Sequence, residues 1–248
     1  LLLATTLFAL SIGQSFAASN NEISESQKKW ISAYEKQENI PKPGSMLINT
    51  DAEPNLKNGF VDLFNGKNLD GWTPYGGTCT FEVKGNTIVG TTVPGSPSTY
   101  LSTLKDDYTD FVFTAELKWK IDGNTGYMFR GQVKTDAKGK QTVFGPQAEM
   151  EAESKQRFWS GGIYGQSAGG WYYPLWLNAH EKARNAVDRK SWNRITVKSV
   201  GTVSKTWING VPAAQWENDQ YLEGFFSLQI HAGKEGEVSF RNIKVKEL

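Results

Sequence analysis

From about residue 58 onward the chain consists of short runs in which apolar and polar residues alternate, and each run ends in a turn. Glycine, asparagine and aspartate mark the turns, as in Asn65-Gly66, Gly85-Asn86 and Asn209-Gly210. A period of two is the repeat of a strand with one buried face, and Asn-Gly pairs are typical of tight hairpins. No strand-helix-strand rhythm interrupts the pattern. It predicts an all-β fold, a two-sheet antiparallel β-sandwich or jelly roll.

The residue pattern is typical of a helix in only two segments. Residues 22–37 place Ile23, Trp30 and Tyr34 on one face, which predicts a short amphipathic helix whose apolar stripe docks on the sandwich. A second helical patch lies at 178–187 and contains His180, which we expect to have an ordinary structural role. We therefore divide the chain into three parts, which are a signal segment at 1–17, the N-terminal helix and linker at 18–57, and the β-domain at 58–248.

The first 17 residues form an apolar, uncharged run that ends in small residues around Ser15-Phe16-Ala17. This is typical of the hydrophobic region and cleavage site of a secretory signal peptide. No methionine or basic segment precedes the run, so we expect the sequence to start within the signal. The run is shorter than the roughly 20 apolar residues that span a bilayer. We expect a periplasmic or secreted protein with no membrane span after signal cleavage.

Composition excludes several classes of partner and site. Nine tryptophans, nine tyrosines and thirteen phenylalanines supply a core without disulfides, and the single cysteine, Cys79, allows neither an internal disulfide nor a cysteine-based zinc site. We expect Cys79 to be a small buried residue. A net charge of +1 lacks the basic excess that nucleic-acid binding needs, so nucleic acid is not an expected partner.

Alternation sorts the strand residues by face, because residues i, i+2 and i+4 of a strand point the same way. In the run 225–231, Ser227, Gln229 and His231 form the polar set. In the run 147–153 the polar set is Gln147, Glu149, Glu151 and Glu153.

Two further runs carry polar residues in the same manner. Glu116 lies on the polar face of 111–119, and Arg130 follows Met128 on one face of 126–130. If all four strands are neighbours in one sheet, their polar faces form a single concave surface, which is our hypothesis for the site.

The acidic run has two chemical interpretations and one neutral one. Glu149 and Glu151 would lie about 6.6 Å apart at their Cβ atoms, and neighbouring carboxylates raise one another's pKa, which yields an acid and a base near neutral pH. The same oxygens suit a hard divalent cation, with Gln147 or His231 as a further ligand. The neutral interpretation is a solvated strand face. His231 has the titration range for proton transfer, although a lone histidine at a strand end is often structural.

Aromatic residues are dense between Trp159 and Trp176, where Tyr164 and Trp171 stand among glycines. Exposed rings in this segment would be platforms for the apolar faces of sugars. A self-packed hydrophobic segment is the alternative, and the sequence leaves both open.

Ordered motifs across residues 58–248 resemble the family of bacterial 3-keto-disaccharide hydrolase domains, whose fold is similar to that of the concanavalin A-like lectins and glucanases. The motifs, in chain order, are the opening segment Phe60–Trp72, the run Phe111–Glu116, Asn124-Thr-Gly126 with Arg130, Gln147-Ala-Glu149-Met-Glu151, Gly161–Gly165, Trp192–Ile195, Trp207–Gly210 and the closing segment Gly224–Leu248. The acidic strand departs from the spacing usual in the family, and the helix at 22–37 lies outside the resemblance.

The resemblance implies cleavage of glycosides whose C3 hydroxyl has been oxidised to a ketone, so a keto-sugar is the expected partner. Glu149 or Glu151 and His231 would then transfer the protons. Substrate binding would fall to the residues Arg130, Gln147, Glu116, Gln229, Tyr164 and Trp171. A divalent metal ion bridging a carboxylate or His231 to the ketone is the one cofactor that the chemistry suggests, and the sequence identifies no ligand set for it.

Two other functions compete with this one. A non-catalytic, lectin-like domain would bind sugar through aromatic and amide side chains and would need no titrating pair. A conventional retaining glucanase would need two carboxyl groups about 5–5.5 Å apart across a cleft.

Overall fold

The computed structural model of the protein describes residues 21–248, which form a sandwich of two antiparallel sheets with two short α-helices. The helices are α1 (Lys28–Tyr34) and α2 (Glu181–Arg184). The strands are β1 (Val61–Asp62), β2 (Trp72–Gly76), β3 (Thr80–Lys84), β4 (Thr87–Thr91), β5 (Thr99–Thr103), β6 (Phe111–Ile121), β7 (Thr125–Thr135), β8 (Gln141–Met150), β9 (Ile163–Gln166), β10 (Gly170–Tyr173), β11 (Asn193–Val200), β12 (Val203–Ile208), β13 (Val211–Glu217), β14 (Phe225–Ile230) and β15 (Glu237–Glu247). The predicted fold class is confirmed.

Each sheet has its own strand order. The cleft sheet runs β10-β9-β8-β7-β14-β5-β2, and the back sheet runs β13-β12-β11-β6-β15-β4-β3 with β1 paired to β15. In the described part of the chain no helix is long and apolar enough to cross a membrane. The predicted signal peptide at 1–17 lies outside the described residues.

The core fills the space between the sheets with the apolar faces that alternation predicts. Phe113 of the back sheet stacks on Phe226 of the cleft sheet with ring centroids 4.6 Å apart, and Phe111 meets Phe226 edge-on at 4.7 Å. Burying each of these side chains contributes about 1.5–3 kcal/mol. Cys79 is also buried and unpaired, as expected.

Turn chemistry is confirmed at the β12–β13 hairpin. Asn209 and Gly210 have φ angles of 50° and 86°, the positive values that a type I′ turn requires at both central positions.

The opening segment of the family-like motifs is mostly a turn and contains little strand. Residues 60–72 form only the two-residue strand β1, a turn, and the first residue of β2. The turn is held by Asn65, whose side-chain oxygen accepts hydrogen bonds from the backbone N–H groups of Lys67 and Asn68. Such an asparagine-centred turn competes with strand pairing, which explains the short β1.

The predicted N-terminal helix forms as α1 and docks on the sandwich as expected. Ile23, Trp30 and Tyr34 pack against the main core. Two isolated antiparallel bridges hold the chain on either side of α1. Before the helix Ile23 pairs with Leu177, and after it Ile48 pairs with Ala214.

Candidate functional site

A polar cleft opens where β7 begins and β8 and β14 end, because neighbouring strands in the cleft sheet are antiparallel. Gly126 on β7 is the register partner of Glu149 on β8 and of Gln229 on β14. Gly126 has no side chain, and the side chain of Gln147 occupies the space above it. A Cβ atom at position 126 would come within 2.7 Å of the Gln147 Cδ atom.

The carboxyl group of Glu149 is buried at the floor of the cleft, with 3% of the residue exposed. Gln147 Nε2 donates a hydrogen bond to Glu149 Oε2 at 2.6 Å, and Asn124 Nδ2 donates to Oε1. Burial raises the pKa of Glu149 to about 7, although these two hydrogen bonds and the nearby charge of Lys155 oppose the shift. Glu149 therefore exchanges its proton in the range in which enzymes use a general base.

A chain of amide groups fixes the donor that faces Glu149. Gln147 Nε2 also donates to Gln229 Oε1 at 3.1 Å, and Gln229 Nε2 donates to Tyr100 Oη at 3.2 Å and to Gln166 Oε1 at 3.3 Å. Each amide nitrogen is thus committed to an acceptor, which sets the orientation of both glutamine side chains. The remaining Gln147 Oε1 atom is buried and has no hydrogen-bond partner among the described residues.

His231 lies at the rim of the cleft, just beyond the end of β14, and its side chain is exposed. Its Nδ1 atom is 2.6 Å from the carbonyl oxygen of Ala232, so in this geometry Nδ1 carries a hydrogen and donates it. The Nε2 atom is left to accept a proton or, in the imidazolium form, to donate one. The backbone N–H of His231 donates to the carbonyl of Asn124 at 3.3 Å.

The predicted partner carboxylate, Glu151, is engaged elsewhere. Arg157 Nε donates to Glu151 Oε1 at 2.7 Å, a second guanidinium nitrogen contacts the same oxygen, and the backbone N–H of Trp159 donates to Oε2 at 2.9 Å. Burial raises the pKa of Glu151, whereas the Trp159 N–H opposes that shift. We assign Glu151 as the charged partner of Arg157, since a doubly contacted ion pair favours the carboxylate.

Arg157 is held in an aromatic box at one wall of the cleft. Its guanidinium carbon lies 5.3 Å from the ring centroid of Tyr34, 5.2 Å from that of Trp159 and 5.3 Å from that of Trp171. Burial lowers the pKa of Arg157 to about 10, so the group stays charged at neutral pH. The box therefore combines a cation with aromatic surface.

The cleft has a volume of about 230 Å³. Among the described residues that line it, only Glu149 is acidic, so the pair of facing carboxyl groups that a retaining glucanase needs is not formed here. The lining residues are Tyr34, Gln37, Asn124, Gln147, Glu149, Lys155, Arg157, Tyr164, Gln166, Trp171, Gln229 and His231.

Six of the nine residues predicted from the sequence line this cleft, namely Glu149, His231, Gln147, Gln229, Tyr164 and Trp171. Their catalytic or binding roles stay predictions. Glu151 does not line the cleft, but it is paired with Arg157, which does.

The hypothesis of four neighbouring polar strands is wrong for the strand that carries Glu116. That strand, β6, belongs to the back sheet, whereas β7, β8 and β14 adjoin in the cleft sheet. Glu116 instead accepts a hydrogen bond from Arg241 Nε at 2.7 Å. It cannot contribute to the cleft because the core separates the two sheets.

Arg130 also lies away from the cleft. The register of β7 shifts between Met128 and Gln132, and Arg130 has a φ of 48°, so the simple alternation of faces fails there. Its guanidinium donates to the backbone carbonyls of Thr109, Gly201 and Tyr221. Arg130 fixes loops at the other end of the strand, and a role in substrate binding is not supported.

The aromatic segment is largely self-packed. Trp171, Tyr172, Tyr173 and Trp176 are buried. Trp159 and Trp171 meet edge-on at 4.8 Å between ring centroids. Trp171 and Tyr164 still reach the cleft wall, so the segment supplies both core and lining.

His180 is buried, and this burial lowers its pKa to about 3. Its Nε2 atom lies 3.1 Å from Tyr173 Oη. Both observations fit the structural role expected for it.

Sequence reasoning missed six lining residues, Asn124, Lys155, Arg157, Gln166, Tyr34 and Gln37. Asn124 is the central one of these, because its side chain bonds to Glu149 and to the backbone of Ala152 while its carbonyl bonds to His231. The Asn124-Thr-Gly126 motif was the sequence feature that could have identified Asn124 as a site residue. Lys155 and Arg157 follow the end of β8, where alternation no longer applies.

The suggested divalent cation does not fit these residues. Within residues 21–248 no group of three or more histidine, cysteine, aspartate or glutamate side chains is placed to hold a metal ion. Both oxygens of Glu149 already accept amide hydrogen bonds.

Comparison with known proteins gives a family match over most of the chain. Residues 59–246 match the model of the 3-keto-alpha-glucoside-1,2-lyase-like domain. No curated protein matches the chain.

Solved structures agree on the fold. A crystal structure of a putative glycosyl hydrolase from Parabacteroides distasonis is similar with a TM-score of 0.53 and 20% identity, covering 77% of this chain and 94% of that one. The carbohydrate binding module CBM66 from Bacillus subtilis is similar with a TM-score of 0.50 and 15% identity, covering 73% of this chain and 98% of that one. At these identities the likeness concerns the fold.

Proposed function

Because the chain belongs to the family of 3-keto-alpha-glucoside-1,2-lyase-like domains, we propose that it cleaves 3-keto-glycosides in the polar cleft. Membership of this family supports a carbohydrate-related function. The observation that carries the proposal is the buried Glu149 carboxyl group, with a pKa of about 7, at the floor of a cleft lined by amides and aromatic rings.

The proposed reaction is an elimination that begins at C2 of the keto-sugar. The C3 ketone acidifies the C2 hydrogen, and the Glu149 carboxylate removes it as a proton. The electron pair of the C–H bond becomes a C1–C2 double bond while the bond between C1 and the glycosidic oxygen breaks with its electrons. His231 Nε2, in the imidazolium form, gives the leaving oxygen its proton. Addition of water across the double bond then converts the unsaturated product into the free keto-sugar.

The other lining residues would serve this chemistry by position and charge. Gln147 and Asn124 hold the Glu149 carboxyl in one orientation through their amide donors. Lys155 is exposed at the cleft and would stabilise the negative charge that develops on the C3 oxygen as the C2 proton leaves. Arg157 is less suited to that role because it is paired with Glu151.

The decisive experiment compares a 3-keto-disaccharide with its unoxidised parent. We expect cleavage of the keto-sugar alone. Cleavage of the parent would favour a conventional glycosidase, and binding of either sugar without turnover would favour a lectin-like domain. For Glu149→Gln we expect kcat to fall by about 10²- to 10⁴-fold, the usual contribution of a general base. Glu153→Gln, which alters an exposed carboxylate outside the cleft, is the matched control.

The pH profile tests the role of Glu149 separately. A base must be ionised to act, so on the acidic side of the profile kcat/KM should rise with pH with an apparent pKa of about 7, that of Glu149. His231→Ala should lower the rate most for substrates with poor leaving groups, because those depend on protonation of the leaving oxygen. Full activity of Glu149→Gln or of His231→Ala would remove that residue from the mechanism.

We propose further that the protein is exported, on the strength of the apolar, uncharged run at residues 1–17. The measurement is N-terminal sequencing of the protein recovered from the periplasmic or culture fraction, which should start near Ala18. An unprocessed chain found only in the cytoplasm would contradict export.

A further inference from the structure

Residues 21–49, here called the N-terminal arm, precede the part of the chain that matches the family, which begins at residue 59. The arm is nonetheless built into the cleft wall. Gln27 is 3% exposed, and its Oε1 atom accepts a hydrogen bond from Trp159 Nε1 at 2.7 Å. The backbone N–H of Ser24 donates to the carbonyl of Trp176 at 2.9 Å. The arm therefore has a fixed position relative to the cleft sheet.

Two side chains of the arm face the cleft, Tyr34 and Gln37. Tyr34 contributes one ring of the aromatic box and lies 5.3 Å from the Trp159 ring, centroid to centroid. Gln37 Oε1 accepts a hydrogen bond from the backbone N–H of Trp171 at 2.7 Å, which fixes the amide plane. The two hydrogens on Gln37 Nε2 remain as donors at the cleft wall.

Strand order separates this wall from the proposed reaction centre. The arm contacts β10, at one edge of the cleft sheet, and His231 follows β14, which is four strand intervals away. At the usual spacing the two walls are about 19 Å apart, and Glu149 on β8 lies midway. The titratable groups Glu149 and His231 thus occupy one half of the cleft, and the arm encloses the other half.

We propose that the N-terminal arm forms the subsite for the second sugar ring of a disaccharide, with Gln37 Nε2 donating to a ring hydroxyl and Tyr34, beside Arg157, forming part of the subsite wall. The inference rests on the proposed function. The keto ring occupies the half that contains Glu149 and His231, because the C2 proton and the leaving oxygen must reach those groups. The second ring then lies over β9 and β10 against the arm.

The test uses two substrates that share the reacting ring, a 3-keto-disaccharide and the methyl 3-keto-glycoside. Gln37→Glu keeps an oxygen for the Trp171 N–H but removes the amide donors. We expect it to raise KM for the disaccharide about 3- to 10-fold, the effect of losing one hydrogen bond, with kcat and the methyl substrate changed less than about 2-fold. Tyr34→Leu should show the same selectivity. Lys36→Ala, on an exposed residue of the arm that does not line the cleft, is the control and should leave both substrates unchanged.

The outcomes separate the two proposals. An equal effect of Gln37→Glu on both substrates, or no effect on either, overturns the subsite and leaves the proposed function standing. Failure of the wild-type protein to cleave either keto-substrate overturns the proposed function and the subsite with it. Thermal denaturation of each variant shows whether the arm stays docked, and a docked variant with selective loss for the disaccharide supports the inference.

Discussion

Replacing Glu149 with glutamine should make the folded protein less active and, at alkaline pH, more stable relative to wild type. The pKa of Glu149 is about 7 in the folded protein, compared with an ordinary glutamate value of 4.5. Below 4.5 both the folded and the unfolded chain hold the proton, so the full stability is present. As the pH rises towards 7 the unfolded chain loses the proton while the folded protein retains it, and folding stability falls. The complete loss is worth about 3 kcal/mol.

Glutamine at position 149 cannot ionise, so the stability of the variant does not fall in this way as the pH rises. It can accept only one of the two hydrogen bonds from Gln147 and Asn124, which costs about 1–2 kcal/mol at every pH. The variant should therefore be less stable than wild type in acid. Between pH 5 and pH 8 its free energy of unfolding, relative to that of wild type, should increase by about 2.5 kcal/mol.

Urea denaturation followed by tryptophan fluorescence at both pH values measures this shift, with the m-value as a check on the extent of unfolding. Glu153→Gln is the matched control, because its carboxylate is exposed, and its effect should vary little with pH. A stability difference for Glu149→Gln that is equal at pH 5 and pH 8 would refute the reasoning, since it would mean that burial does not hold a proton on Glu149.

Two other predictions concern residues that position the site or hold the fold. Gly126→Ala should displace Gln147 and lower kcat/KM by at least about tenfold, because the new Cβ atom would come within 2.7 Å of Gln147 Cδ. Gly44→Ala, where nothing lies within 4 Å, is its control and should leave kinetics unchanged. Arg130→Met should destabilise the protein by about 2–4 kcal/mol in urea denaturation, since three loop carbonyl groups lose their donor. Unaltered stability of Arg130→Met, or loss of sugar affinity without loss of stability, would contradict the structural role.

Much of the candidate site could be predicted from the sequence because alternation is a strict rule inside a regular strand. It correctly placed Gln147 and Glu149 on one face of β8, and Gln229 on the same side of β14. The rule fails where the strand is irregular or ends. Arg130 sits at a shift of register, and Glu151 lies one residue beyond the end of β8.

Other parts of the site depend on which elements become neighbours, and alternation carries no information about that. Glu116 has the right residue type and the right face of its strand, but its strand belongs to the other sheet. Tyr34 and Gln37 reach the cleft only because α1 docks beside the β9–β10 hairpin, more than 120 positions away in sequence. The pKa of Glu149 likewise depends on burial by distant segments.

The positions of β14 and β15 within the sheets bear on the order in which the chain can fold. β14 lies between β5 and β7, and β15 lies between β4 and β6, so the segment from residue 224 onward supplies an inner strand to each sheet. A growing or truncated chain that lacks this segment leaves four strands with an open edge each. Open edges are sites of aggregation.

The cleft sheet can therefore close only after β14, which ends at Ile230, has been synthesised, and the back sheet only after β15, which ends at Glu247. The Phe226 ring, which packs on Phe111 and Phe113 of the back sheet, is synthesised with β14 and links the closing of the cleft sheet to the formation of the core. A nonsense mutation even a few codons before Gly224 would thus eliminate the whole domain, and not merely its final strands.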